Sequence, residues 1–493
     1  MDLLTTPAGP RHRREAGLPA TTGPALPGRR PGSAGTAARL RVLGWVAAVL
    51  AVALAAMITV EVRREWVGLD VIGDQTAPVV TASSDLYFAL GDMDAQLANV
   101  LLVGDDQKLG FTRDAALKIY QERRAQVSVA LQRAAETAEA DLAAAKAVRD
   151  ILDALGRYET LAAQMILLDQ QVSHPAGQPA QATLAKYRQA TDLLKDSLLV
   201  AVQGLIDRNS RILEDTYQSR RDLTLTMRTV LVVLGVAVLL TLLMLHVYVA
   251  RRFHRWINPA LVVATLLAGG LTVSGWVLTT DGAEYLRVAK KDSFDSVLAL
   301  NRARAVSYDA NADESRYLVD PARAAAYEKA FLDKTQQLVT LDGATLPTFD
   351  ERLAAAFDAY RQDLTAIDWQ GFYGKGFRNI TFDGERELAE QTLVAYQTYQ
   401  VDDRRIRALA RAGRLRDSIA FCTSYHPGDS NYHFAEYDKV LAAWIDINQG
   451  WFDRSIADGR RQLQGWTVIP AVATAVLLGL LFLGLRRRLA EYH

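Results

Sequence analysis

Cys422, His426, Asp429 and His433 fall within twelve residues of one another. A thiol, two imidazoles and a carboxylate could ligate a metal ion, and Cys422 alone could act as a nucleophile or pair with a second chain in an oxidising compartment. The spacing matches no ligand pattern. The two histidines stand seven apart across Pro427-Gly428, so the stretch reads as a structured loop beside a buried thiol. A single cysteine excludes an intrachain disulfide framework, a Cys-rich zinc site and a CxxC redox centre. No P-loop, dinucleotide-binding fingerprint, GxSxG or HExxH occurs. Asn379-Ile380-Thr381 fits a glycosylation sequon, a match too short to weigh. These residues predict neither an enzyme nor a cofactor or metal site.

The elements that would hold any site are set by four apolar stretches, at 42–60, 229–250, 260–279 and 466–485. None contains Asp, Glu, Lys or Arg, and each is near the ~20 residues that cross a bilayer. Four transmembrane helices are therefore expected. The first is too long for the apolar core of a signal peptide. Their ionisable-free interiors disfavour a transport path. Small residues at four-residue steps, Ala47, Ala51 and Ala55 in the first and Gly270 and Ser274 in the third, suit close packing within a four-span bundle or a homodimer.

Charge is segregated although the 56 basic and 56 acidic residues cancel. Residues 1–41, 251–259 and 486–493 together hold 13 basic and 3 acidic side chains; 61–228 holds 19 and 24, and 280–465 holds 24 and 29. The positive-inside rule places the three basic pieces in the cytoplasm of a plasma-membrane protein, with both termini inside and two large domains outside. Arg63 and Arg64 oppose this but are outnumbered. The basic edges suit anionic membrane lipid, and the overall balance excludes a general nucleic-acid binder. The Pro-, Gly- and Arg-rich segment 1–41 is expected to be a disordered tail. The cytoplasmic turn and end, with Arg251, Arg252, His254, Arg255, Trp256, Arg486, Arg487 and Arg488, are the candidate docking surface for a partner inside.

The layout of span, outer segment, span and basic turn occurs twice, with local echoes. Leu205-Ile206-Asp207 and Asn209 match Trp444-Ile445-Asp446 and Asn448; Asp94-Ala95 and Asp105 match Asp309-Ala310 and Asp320. Such echoes in order predict an internal repeat. Both outer segments read as helix. Over 81–103, Leu86, Leu90, Met93, Leu97, Val100 and Leu101 form one apolar face at helical period. His174-Pro175-Ala176-Gly177 is a breaker, after which helix runs from about 182 into the second span. In the second segment 283–318, 321–341, 353–367 and 385–420 read as helices. The fold class expected is an all-α membrane protein with four transmembrane helices and two extracellular four-helix sensor-like bundles in tandem, 61–228 and 280–465. The helices entering the second and fourth spans are expected to act as unbroken rods.

Two Gly- and aromatic-rich insertions interrupt the second segment, at 368–377 and 421–434. They are expected to be loops carrying the extracellular binding residues Trp369, Phe372, Tyr373, Phe377, Tyr425, His426, Tyr432 and His433.

The run Leu86-Tyr87-Phe88-Ala89-Leu90-Gly91-Asp92-Met93-Asp94-Ala95-Gln96-Leu97-Ala98-Asn99 and the terminal Arg488-Leu489-Ala490-Glu491-Tyr492-His493, within this doubled architecture, resemble the GlnX-like membrane proteins of the actinobacterial amino-acid-sensing system. The resemblance implies an extracellular solute-binding lipoprotein that captures glutamate or aspartate, and a cytoplasmic Ser/Thr kinase of the PknG type that receives the signal. It assigns no residue a role. A net charge of minus five on each outer segment agrees with capture by a separate protein rather than directly. The reading is a non-enzymatic receptor or signal transducer. The alternative is an accessory subunit or scaffold of a membrane transport or envelope-assembly complex.

Overall fold

The computed structural model describes residues 33–138, 142–253 and 258–489. In chain order the helices are α1 (Ser33–Asp70), α2 (Ala77–Val103), α3 (Arg113–Ala138), α4 (Leu142–Gln171), α5 (Gln181–Leu193), α6 (Leu199–Phe253), α7 (Pro259–Arg287) and α8 (Asp295–Val319). There follow α9 (Ala324–Leu338), α10 (Phe349–Gln362), α11 (Gly371–Arg378), α12 (Glu385–Arg411), α13 (Leu415–Thr423), α14 (Ser430–Leu463) and α15 (Ile469–Leu489). Among the described residues the only β feature is a single bridge between Thr340 and Gln370. The fold is all-α.

Four helices are long and apolar enough to cross a membrane, and they carry the four stretches expected from hydropathy, in α1, α6, α7 and α15. The four pack in a ring, α1 on α6, α6 on α7, α7 on α15 and α15 on α1. Val49, Val233, Leu266 and Phe482 are each more than 60% exposed on the outside of that ring, a surface suited to hydrocarbon. Ala47, Ala51 and Ala55 lie inside it. Gly270 does not: nothing lies within 4 Å of where its Cβ would be. Close approaches are made at Gly235 of α6, where a Cβ would collide with Thr272, and at Gly275, whose Cβ would stand 3.1 Å from Ile58 and Leu231. Gly275 falls on the buried stripe Leu271, Gly275, Leu278, and Gly270 is rotated off it.

Above the ring, three helices continue from the apolar layer without a break. α1 passes through a π-helical segment (Val71–Thr76) into α2, and α7 through another (Val288–Phe294) into α8. α5 passes through a third (Leu194–Leu198) into α6. The fourth differs from expectation: α14 and α15 are separated by turns at 464–468, where Gly465 takes φ +82. Likewise Gly413, at φ +77, ends the long helix expected over 385–420 and splits it into α12 and α13.

The expected apolar face of α2 is buried, but beyond Tyr87 so is every other face of the helix. Every residue from Phe88 to Val103 is buried, because α3 covers one side and α8 the other. Asp92, Asp94, Gln96 and Asn99 are therefore interior residues.

The first aromatic insertion is corrected from a loop to the helix α11. Trp369, Tyr373 and Phe377 are buried, packed edge-on or stacked against Tyr360, Tyr396 and Trp444. The glycines make this possible. At Gly371 (φ +87) a Cβ would lie 2.6 Å from the carbonyl oxygens of Gln337 and Leu338, at Gly374 2.5 Å from that of Trp369, and at Gly376 2.9 Å from the Trp444 ring. The pattern that resembles a flexible loop is a close-packing device. Gly374→Ala must move backbone, so it is expected to destabilise the fold by about 1–3 kcal/mol, as overpacking does. Thermal unfolding of the solubilised protein measures this, with Gly156→Ala, which meets nothing within 4 Å, as the control.

Candidate functional site

α2 and α8 lie side by side, and Gly91 lets the α2 backbone come within 3.9 Å (Cβ position to amide nitrogen) of Asp309. At that approach sits a fully buried guanidinium. Arg316 donates from Nε and Nη2 to Oδ2 of Asp94 (3.1 and 2.8 Å) and from Nη1 to Oδ1 of Asp309 (2.9 Å) and of Asp313 (2.6 Å). Asp94 also accepts from Thr191 (2.9 Å) and from the Tyr187 and Tyr158 hydroxyls (3.2 and 3.3 Å). Lys334 of α9 reaches Asp309 (2.6 Å) and Asp313, and Lys195, in the π segment before α6, reaches Asp313 (2.8 Å). Three carboxylates and three cations balance. Charges are tolerated at this depth only when paired and hydrogen-bonded in this way.

The electrostatics follow from that packing. Burial alone would raise the Asp309 carboxyl. Lys334, then Arg316 and Lys195, outweigh it and hold Asp309 well below the usual carboxylate range, and Asp313 is lowered by the same cations. At the next residue of α8 the balance reverses. Burial and then Asp403 push Glu314 well above its ordinary value, with Arg407 acting against them.

Two grooves flank this centre. One, of about 570 Å³, has Tyr87, Lys195, Asp207, Asp309 and Lys334 on its walls. The other, of about 460 Å³, has Asp85, Phe88, Arg123, Arg133 and Arg304. Neighbouring residues of α2, Tyr87 and Phe88, thus line one groove each. The Phe88 ring lies under the guanidinium groups of Arg123 (4.8 Å) and Arg304 (4.7 Å). Arg304 is fixed by a bidentate pair with Asp438 (2.6 and 2.8 Å), and Arg123 by Asp92. The first groove presents both signs of fixed charge and suits a zwitterion; in the second the guanidinium groups are held by their carboxylates against an aromatic ring.

Further ion pairs tie the two segments. Arg188 donates to Asp320 (2.8 Å), Lys290 to Glu214 (2.7 Å), and Arg460 to Asp74 (2.6 Å). Lys195, Lys290 and Asp74 each lie in a π segment. A π turn inserts one residue and re-aims the side chains beyond it.

Of the residues singled out in the sequence, Trp369, Tyr373 and Phe377 are core, as described above. Phe372 is half-buried beside Lys375 and Arg378 in a shallow surface groove. The second insertion is also corrected. Only 424–429 is a turn; Cys422 is on α13, and Tyr432 and His433 are on α14. Tyr425 is 43% exposed and packs on Phe111 (5.5 Å), and His426 is exposed. His433 is fixed by Asp402 (2.6 Å), and burial pushes the Cys422 thiol well above its ordinary range. Among the described residues no group of His, Cys, Asp and Glu is arranged to hold a metal ion. On the docking surface, Arg251 and Arg486 are exposed. Arg252, Arg487 and Arg488 lie on helix, but their side chains are outside the described residues, as are His254, Arg255 and Trp256 entirely.

The echo of Asp94-Ala95 in Asp309-Ala310 was the one sequence signal for the charged centre, since both aspartates meet at Arg316. Asp313, Arg316, Lys334 and Lys195 carried no signal, because charged residues at helical spacing look the same whether solvated or buried.

Residues 68–218 match the actinobacterial sensor domain family. No curated protein and no solved structure matches the chain. The matched segment holds Tyr87, Asp94 and Lys195; Asp309, Asp313, Arg316 and Lys334 follow it.

Two outcomes are expected. Arg316→Met leaves three buried carboxylates short of one cation and should cost about 3–5 kcal/mol, the range for breaking a buried pair. Adding Asp94→Asn to that variant should cost less than Asp94→Asn alone, which a double-mutant cycle by denaturant unfolding measures. The second concerns pH. Asp309 is held below its unfolded value of about 3.9, so its contribution is complete above that pH and lost as the pH falls. Stability should drop steeply below about pH 4, and less steeply in Asp309→Asn, in unfolding midpoints recorded across that range.

Proposed function

We propose that the chain is a non-enzymatic transmembrane receptor of the plasma membrane, with the helical body outside and both termini in the cytoplasm. The carrying observation is the placement of the sensor-domain match. It begins within α1 and ends within α6, so a sensing segment hangs between two apolar helices. The arginine asymmetry supports the orientation. The echoes between 61–228 and 280–465, and the repeated order of apolar helix, π segment and body helix, support a tandem arrangement of two units.

In this reading the signal is an amino acid, glutamate or aspartate, delivered by an extracellular solute-binding lipoprotein. The body responds as a clamped unit, since α2 and α8 share Arg316 and each is continuous with an apolar helix. A partner can move such an equilibrium only by its differential affinity for two states; a shift from 1:99 to 99:1 needs about 5.5 kcal/mol. The displacement reaches the basic turn that includes Arg251, Arg252 and Arg255, where a cytoplasmic Ser/Thr kinase docks.

Crosslinking of the intact protein in membranes, with and without excess glutamate and aspartate, tests the whole chain of events by mass spectrometry of what is recovered. A lipoprotein and a Ser/Thr kinase should appear, with at least one yield changing on addition of amino acid. Recovery of an ATPase or secretion components, indifferent to amino acid, would replace this reading with that of a transport or assembly subunit. Replacing Arg251, Arg252 and Arg255 together by Ala should abolish kinase recovery while the lipoprotein is retained; undiminished kinase would remove the turn from the mechanism.

A further inference from the structure

Where the body meets the apolar layer, α6 and α7 wall a cavity of about 790 Å³. Its position is defined by the helices themselves. Arg228 directly precedes the apolar stretch of α6, and Thr280 directly follows that of α7, and both line the cavity. Its floor is therefore level with the edge of the apolar belt.

The lining is cationic. Arg221, Arg228, Arg287 and Lys291 face it, against Asp281 and Glu284. The charges are not equally committed. Arg287 is spent on Glu284 (2.8 Å) and Asp292 (2.8 Å), and Lys291 on Glu214 (2.9 Å) and Asp295 (3.4 Å). Asp281 accepts from Gln462 (2.7 Å). Arg221 and Arg228 have no carboxylate partner among the described residues. Arg228 makes one long hydrogen bond, from Nη2 to the Thr279 carbonyl (3.4 Å), and its buried Nε has no acceptor. A buried guanidinium N–H without an acceptor has given up its water and gained nothing in return, so it calls for an anion. Leu225 on the cavity wall is 56% exposed, and the surface below is apolar and outward-facing, with Val232 39% and Trp276 46% exposed.

We propose that this cavity binds the phosphate of an anionic membrane phospholipid, with the phosphate between Arg221 and Arg228 and an acyl chain passing Leu225 and running along Val232 and Trp276. A guanidinium pair matches phosphate geometry, and the apolar strip beneath distinguishes a lipid from a free anion. The site lies on the side of the apolar layer that carries the body, away from the basic turn at 251–259. It rests on the membrane-spanning part of the reading above and on nothing about amino acids or kinases.

The test uses the full chain. Alkaline carbonate extraction of membranes first establishes whether it is integral; release into the supernatant overturns both this proposal and the receptor reading. For the integral protein, native mass spectrometry after detergent delipidation is followed by titration with phosphatidylglycerol, phosphatidylcholine or inorganic phosphate. Phosphatidylglycerol should bind at least tenfold more tightly than phosphatidylcholine. Arg221→Gln, at an exposed residue with no ion pair to lose, should weaken it severalfold, and Arg221→Gln with Arg228→Gln tenfold or more, at an unchanged unfolding temperature. Phosphatidylglycerol labelled with bromine near the top of its acyl chain should quench tryptophan fluorescence, less so in Trp276→Phe. Equal retention of the two lipids, binding unchanged in Arg221→Gln, or inorganic phosphate binding as tightly as the lipid would overturn it while leaving the receptor reading intact.

Discussion

The Arg316 guanidinium joins the two segments of the body. It is donated by α8 and received by Asp94 on α2, while Asp309 and Asp313 of its own helix hold it from the other side. A group of this charge at zero exposure is stable only if every neighbour keeps its place. The crossing at Gly91, the tyrosines and threonine that complete Asp94, and the lysines from α9 and the π segment before α6 are all conditions for that one ion to be where it is. Much of the polar interior is arranged around it, and the two grooves open on either side of the helix pair it locks.

The polar and aromatic parts of the body divide the labour. Around Arg316 the packing is specific because partners are charged and directional. Where α11, α12 and α14 meet it is specific because the rings of Tyr373, Tyr396, Tyr437 and Trp444 interlock and take hydrogen-bond partners, Tyr437 with Ser307 of α8 and Trp444 with Glu385. Asn448 adds a second donor to Glu385 and also bonds the Trp444 carbonyl, the same backbone bond that Asn209 makes to Leu205 at the echoed position of the other segment. The echo read in the sequence thus corresponds to one local geometry used twice.

Hydropathy made the apolar helices legible, because twenty uncharged residues leave few alternatives. Helical composition made the body legible for a similar reason. What could not be read was which faces meet. The polar side of α2 looks solvated in sequence, since Asp92, Asp94, Gln96 and Asn99 would suit water equally well; only α8 lying on it makes them interior. Gly371, Gly374 and Gly376 with their aromatics resemble a mobile binding loop for the same reason, because a glycine that makes room for a backbone and one that frees a loop are the same letter. The π segments leave no mark on composition, so the charged residues they re-aim, Lys195, Lys290 and Asp74, could not be tied to partners far along the chain.

The turn at 464–468 gives the assembly a mechanical asymmetry. A continuous helix carries both thrust and torsion along its axis, and α1, α6 and α7 each leave the apolar ring without interruption. Between α14 and α15 the torsional path is cut, because backbone that passes through a left-handed glycine has no helical ladder to wind. Rotation of α14 in the body is therefore absorbed at Gly465, while α15 keeps the register set by its own packing on α1 and α7. The fourth apolar helix is thus the one whose torsional coupling to the body is interrupted, and the other three are the ones wound directly into it.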